Sequence, residues 1–281
     1  MLTAARCKPF CAQKNVRISL ISSNSWPVCW YFDFHMSFFL ADGRFSTLAF
    51  DWITENVYIG TEDGYVTVCD KNGSPPFTCR PLLTRQKELN GIALDPIQGY
   101  ARVFQSLAAT VNQQFPDSFR TMYWTIFATR NGSIRRASMD STGPSIIVTG
   151  LDAPHGTAID FKMSRTYWAD DNTDKIQSSY FDGSDLQTTF EYNARPGRKP
   201  NPRGIAVLGD ELFWTNWWHI TLVSRTRNSS TNHVRYSGYD RIRELAAVPK
   251  LGLPRNRINH CKRQQCSGVC VLAATSYRCL T

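Results

Sequence analysis

Residues 156–183 read GTAIDFKMSRTYWADDNTDKIQSSYFDG, and the rest of the chain repeats this pattern. An apolar run ending in an acid, Thr157-Ala158-Ile159-Asp160, opens the stretch. A short turn leads to Thr166-Tyr167-Trp168-Ala169-Asp170, and a polar link to the alternating run from Lys175 to Tyr180. The pair Asp182-Gly183 follows, a hairpin signal because glycine accepts positive φ. Strand, turn, strand, turn is the wiring of one antiparallel sheet.

Upstream the same string is Thr47-Leu48-Ala49-Phe50-Asp51, then Val57-Tyr58-Ile59-Gly60, then Tyr65 to Cys69 and the turn pair Asn72-Gly73. A second copy holds Gly91-Ile92-Ala93-Leu94-Asp95, Met122-Tyr123-Trp124-Thr125 and Ser133 to Arg136. Downstream come Gly204-Ile205-Ala206-Val207-Leu208 and Leu212-Phe213-Trp214-Thr215-Asn216. Four copies at a period near 44 predict a radial array of four-stranded sheets. Asp51 to Tyr58 and Asp160 to Tyr167 are both 7 positions, but Asp95 to Tyr123 is 28, or 7 + 21. Asp95 to Asp160 is 65, or 44 + 21, so a 21-residue insertion sits in the second copy. Its expected extent is 101–121, either a long surface loop or an intron read in frame, with the second favoured.

The strings Tyr167-Trp168-Ala169-Asp170, Tyr123-Trp124-Thr125 and Phe213-Trp214-Thr215-Asn216 resemble the YWTD signature of the low-density-lipoprotein-receptor class B repeats. The tail from Cys261 to Cys279 is similar to the EGF-like module that follows such propellers. The resemblance covers about residues 45–281. It implies an all-β fold: a YWTD-type β-propeller, with about four recognisable blades of the family's six, then a truncated EGF-like module. The expected domains are 1–44, a degenerate blade or mis-joined segment; 45–255, the propeller; and 256–281, the EGF-like tail. The resemblance also implies the pairs Cys261–Cys270 and Cys266–Cys279, in a pattern that needs two further cysteines. In the family the signature aspartate ties neighbouring blades together. Only Asp170 is retained there, with Thr61, Ile126 and Asn216 at the other places. The shortage of blades predicts a fragment of a longer receptor or a faulty gene model.

The net charge of +9 raises the question of nucleic acid, but Lys and Arg are scattered and no nucleic-acid partner is expected. The densest basic run, Arg195 to Arg203, is proline-rich and reads as a loop, open to an acidic or heparin-like ligand. Nine cysteines leave at least one unpaired. Four of them crowd the C-terminus, as in extracellular disulfide modules, although Cys266 and Cys270 also have zinc-ligand spacing. Cys69 and Cys79 flank the Asn72-Gly73 turn, which makes a disulfide across that hairpin reasonable. Asn72, Asn131 and Asn228 head glycosylation sequons, the first weakened by Pro75. The apolar stretch from Trp26 to Leu40 is 15 residues long and holds Asp33 and His35, so it is too short and too polar to span a bilayer.

No histidine pairs with another at ligand spacing, and no cofactor or metal is expected; calcium belongs to neighbouring modules outside this chain. The tail's start, Arg257 to Cys261, lacks the acids of calcium-binding modules. His155 opens an inner strand and is the candidate pH sensor, since imidazole titrates near endosomal pH. Asp51, Asp95 and Asp160 recur at strand ends and imitate the acids of calcium-dependent propeller hydrolases. Their identical place in each repeat favours a turn role, and no enzyme is expected. The resemblance implies the extracellular part of an endocytic receptor, with protein or lipoprotein ligands released at low pH. Its membrane anchor would lie outside this sequence. A matrix or signalling propeller that docks proteins is the alternative, and a calcium-dependent hydrolase the more distant one.

Overall fold

Each repeat folds as one antiparallel four-stranded blade. A computed structural model describes residues 16–22, 45–70, 78–86, 88–96, 120–192, 200–217, 221–226, 229, 231–237, 242–249, 259–262, 264, 266–273 and 276–281. After β1 (Val16–Ser22), blade 1 is β2 (Phe45–Phe50), β3 (Val57–Thr61), β4 (Val66–Cys69) and β5 (Cys79–Leu83). Blade 2 is β6 (Leu89–Asp95), β7 (Thr121–Ile126), β8 (Gly132–Ser138) and β9 (Ser145–Leu151). Blade 3 is β10 (Pro154–Asp160), β11 (Arg165–Asp170), β12 (Lys175–Tyr180) and β13 (Gln187–Glu191). Blade 4 is β14 (Pro202–Leu208), β15 (Glu211–Asn216), β16 (Thr221–Thr226) and β17 (His233–Ser237).

The second strand explains the Tyr-Trp pair. Adjacent residues of a strand point to opposite faces, and β7 and β11 are buried on both. Tyrosine faces the following blade: Tyr58 packs with Trp124, Tyr123 with Ile159, and Tyr167 with Ile205 and Leu212. Tryptophan faces the preceding one. Trp168 packs with Ile134, Val148 and Leu151 of blade 2, and Trp214 with Ile176 of blade 3. The dipeptide thus seals two seams at once, while the outermost strand β13 stays largely exposed. The indoles of Trp168 and Trp214 donate to Gln177 Oε1 (3.3 Å) and Tyr192 Oη (2.7 Å). Trp124 departs from that pattern. Arg135 stands opposite it where Gln177 stands opposite Trp168, and its buried N–H has no partner among the described residues.

The strand-end acids cap the inner hairpins. Asp51 Oδ1 accepts the Ile53 amide (2.9 Å), and Asp160 Oδ1 accepts those of Lys162 (3.0 Å) and Met163 (3.1 Å). Both turns end on a left-handed residue, Glu55 (φ 66°) and Ser164 (φ 53°). Blade 2 keeps the same frame, with Arg120 (φ 54°) in that place and Asp95 paired to Thr121 as Asp160 is to Arg165. The two pairs span 26 and 5 positions, which differ by 21. Arg120 and Thr121 therefore belong to the blade. This corrects the expected extent of 101–121, of which residues 101–119 lie outside the described residues.

The inner strands β2, β6, β10 and β14 pack side by side in order, and β18 (Ile242–Pro249) lies between β14 and β2. β18 pairs antiparallel with β1, so the N-terminal region supplies one strand of a two-stranded fifth position. The described residues thus form four full blades and this narrow fifth position. Close approach at the axis requires glycine. A Cβ on Gly91 would lie 2.6 Å from the His155 carbonyl oxygen, and one on Gly156 2.6 Å from that of Arg203.

The tail is a hairpin, β19 (Val269–Leu272) and β20 (Tyr277–Leu280), with disulfides joining Cys261 to Cys270 and Cys266 to Cys279. A third disulfide joins Cys69 to Cys79 across the β4–β5 pair. Val269, Val271 and Leu280 enter the same core as Tyr58, Val66 and Trp124. Polar ties reinforce this packing. Asn56 Nδ2 donates to the Cys270 carbonyl (2.6 Å), Asn259 Nδ2 to that of Ile53 (2.8 Å), and Arg278 Nη1 to that of Asp140 (3.0 Å). Arg120 Nη1 reaches the carbonyls of both Ala273 (3.1 Å) and Ser276 (2.8 Å). The tail therefore covers blades 1 and 2 on the face that carries the Asp51 and Asp160 turns. Among the described residues, no tail contact falls on the opposite face, where the chain enters each inner strand.

Candidate functional site

On that free face the signature positions hold the chain as it passes between blades. Asp170 Oδ2 accepts the amides of Asp152 (3.2 Å) and Ala153 (3.3 Å), which link blade 2 to blade 3, and its Oδ1 accepts that of Thr173 (3.1 Å). Asn216 does a related job through Oδ1, accepting the Tyr192 hydroxyl at 3.0 Å. Thr61 takes only the local Tyr65 amide (3.2 Å). Ile126 has no polar atom to offer.

His155 sits next to this lattice, at the start of β10. Its Nε2 lies 3.2 Å from Asp171 Oδ2, and the two side chains are 14% and 9% exposed. The same carboxylate oxygen accepts Arg203 Nε (3.1 Å) and Nη2 (2.9 Å), while Asn201 Nδ2 donates to Oδ1. The Asn201 amide in turn donates to Asp174 Oδ1 at 3.0 Å. Arg203 lies 4.1 Å over the Trp217 ring, and the His155 ring is 5.3 Å from that of Phe127. Side chains of blades 2, 3 and 4 thus meet around one carboxylate.

Electrostatics fix the charge states. Burial pushes the His155 imidazole below its ordinary value; the Asp171 hydrogen bond opposes this and the Arg203 charge adds to it. For Asp171, burial works upward, but the His155 hydrogen bond and Arg203 outweigh it and hold the carboxyl below its ordinary value. Arg203 already neutralises the carboxylate. A neutral His155 carrying its proton on Nε2 therefore completes the cluster, and an imidazolium would face a guanidinium across a half-closed space.

Among the described residues no group of three or more His, Cys, Asp and Glu is placed to hold a metal ion. Asp51 uses both carboxylate oxygens on its own turn, and Asp160 caps its turn through Oδ1. Tyr58, Tyr123, Trp124, Tyr167, Trp168, Phe213 and Trp214 line the seams, not this face. Asn131 is exposed in the turn between β7 and β8, while Asn72 and Asn228 lie outside the described residues. The sequence reading found His155 and Asp170 but missed Asp171, Asn201, Arg203 and Trp217. The doubled acid Asp170-Asp171 was the available signal.

No family model matches the chain. It is 26% identical over 228 residues to vitellogenin receptor Yl of Drosophila melanogaster, covering 80% of this chain and 10% of that protein. It is 23% identical over 205 residues to protein cueball of Drosophila grimshawi, covering 61% and 33%. To the human low-density lipoprotein receptor-related protein 5-like protein it is 32% identical over 179 residues, covering 62% and 59%. The chain spans less than two thirds of the length of each of these relatives. A crystal structure of a nidogen/laminin complex superposes with a TM-score of 0.45 at 19% identity, covering 72% of this chain and 84% of the other. A luciferin-regenerating enzyme superposes with a TM-score of 0.52 at 10% identity, covering 73% and 66%, a likeness of fold alone. With four blades sealed through their second strands and a disulfide-bonded tail docked beneath blades 1 and 2, the chain is a YWTD-type β-propeller similar to members of the low-density-lipoprotein-receptor-related family.

Proposed function

We propose that the chain is an extracellular protein-docking module of an endocytic, lipoprotein-receptor-like protein, and that its ligands leave when the surroundings acidify. The observation that carries this reading is the His155–Asp171–Arg203 cluster, which joins three blades on the face the tail leaves open. Receptor relatives support the docking role, and the vitellogenin receptor suggests yolk protein or another lipoprotein as ligand. No helix among the described residues is long and apolar enough to cross a membrane.

The direction of the pH effect follows from the lowered imidazole pKa. An unfolded chain takes up the His155 proton on falling through its ordinary value of 6.5, before the folded chain does. The cluster's contribution is therefore complete above that value and is lost as pH falls below it toward the lowered folded value. Asp171 stays ionised through this window, because its own pKa is depressed. Asp152, Asp170 and Asp174 share the face, and Arg203 supplies the repulsion that protonation meets.

The test displays the chain on a cell surface and follows fluorescent vitellogenin and low-density lipoprotein at about pH 7.4 and about pH 5.5. Binding at neutral pH with faster release in acid is expected, and His155→Gln should remove most of the acid acceleration. Binding of neither ligand contradicts the docking role, and unchanged acid release in the variant removes His155 from it.

A further inference from the structure

Blades 1 and 2 meet differently from blades 2 and 3. Ile126 replaces the acid that would hold the linker, and a cleft of about 560 Å³ opens there. Its floor is Ile126, Phe127 and Ala128, and its walls carry Arg85, Arg135, Glu88, Thr129 and Asn131. This volume falls in the range of preformed ligand sites. The charges on the walls do not balance. Arg135 Nη1 donates to Gln86 Oε1 (3.2 Å) and its Nε to Ser133 Oγ (3.4 Å), both neutral acceptors. Arg85 is exposed, in a left-handed conformation (φ 58°), and has no ion pair among the described residues. Two guanidiniums thus face one carboxylate across an apolar floor.

We propose that this cleft docks an acidic residue flanked by apolar side chains on a protein ligand. Arg85 and Arg135 would take the carboxylate as charge-assisted donors, and the flanking side chains would cover Ile126 and Phe127. The proposal rests on the docking reading above and deepens it by naming what the ligand presents. It also gives Phe127 a second role, because the ring that floors the cleft touches His155 on its other side. An occupied cleft therefore borders the acid-sensitive cluster.

The experiment titrates the whole secreted chain with the peptide acetyl-Leu-Glu-Leu-amide, its glutamine counterpart and a heparin oligosaccharide. The glutamate peptide should bind about tenfold more tightly than the glutamine one, and Arg85→Glu or Arg135→Gln should each remove about tenfold, with the melting temperature of Arg85→Glu unchanged. Equal binding of the two peptides, indifference to Arg85→Glu, or a preference for heparin overturns the proposal. Failure of the peptide with lipoprotein still held removes the cleft alone. Peptide binding with no lipoprotein held removes the docking of lipoprotein and leaves the cleft.

Discussion

Replacing Trp168 with alanine is expected to destabilise the propeller by about 3–5 kcal/mol, the range for truncating a large buried aromatic. The side chain is fully buried and fills the seam between blades 2 and 3 against Ile134, Val148 and Leu151. Deleting it removes that apolar contact, leaves a cavity between two sheets that cannot collapse independently, and strips Gln177 of its donor. Urea unfolding measures the change. Ile59→Val in blade 1, where Ile59 stands at the tryptophan position, should cost only about 0.5–1.5 kcal/mol. A loss for Trp168→Ala no larger than that of the isoleucine control would mean that the seam is not packed as described.

Arg120→Ala is expected to cost about 1.5–3 kcal/mol, the range for losing buried hydrogen bonds made by a charged group. Its effect should concentrate in the tail. The guanidinium is buried and donates to two tail carbonyls, Ala273 and Ser276, from the hairpin turn of blade 2. It also lies near Asp51. Burial raises the Asp51 carboxyl, hydrogen bonds from Thr54 and Ile53 oppose this, and the Arg120 charge adds a smaller opposing push. Without Arg120 the Ala273 carbonyl loses this donor, the Ser276 carbonyl keeps the Ala273 amide, and Asp51 is left closer to protonation. Hydrogen exchange at Val271 and Leu280 should quicken more than at Tyr167 in blade 3. Lysine should restore only part of the protection, since a single ammonium does not reproduce the guanidinium's planar fork of donors. Unchanged tail exchange in Arg120→Ala would contradict the latch.

Arg120 also shows where the sequence stops being legible. The blades were readable because they repeat a local rule, an acid at the first turn in blades 1 to 3 and a Tyr-Trp pair, kept whole in blades 2 and 3, in a two-faced strand. Arg120 obeys no such rule. Glu55 and Ser164 occupy its place in the neighbouring blades, and its partners lie 153 and 156 residues away. The expected extent of 101–121 takes it into the inserted stretch. Arg203 was hidden for a related reason. In sequence it ends a basic, proline-rich loop, and only the fold brings Asp171 of the preceding blade to it. β1 was legible in principle, since Val16-Arg17-Ile18-Ser19-Leu20 alternates with the period of a strand, but nothing local identifies β18 as its partner. The cleft lies where Ile126 stands in place of an acid. The sequence shows that substitution, but the space beside it depends on how two blades pack.

Everything proposed for the free face depends on a closed ring, and hydrogen exchange along the inner strands tests closure most directly. The Ile92 amide, which donates to Thr47 Oγ1 of the neighbouring blade at 3.0 Å, reports one seam, and β18 reports the join between blades 4 and 1. A closed ring predicts that the amides of β2, β6, β10, β14 and β18 are protected together and exchange through one shared opening. Exchange of β18 at the rate of an unfolded peptide, with the other four strands still protected, would mean an open ring and would contradict the structure on which the docking face is built.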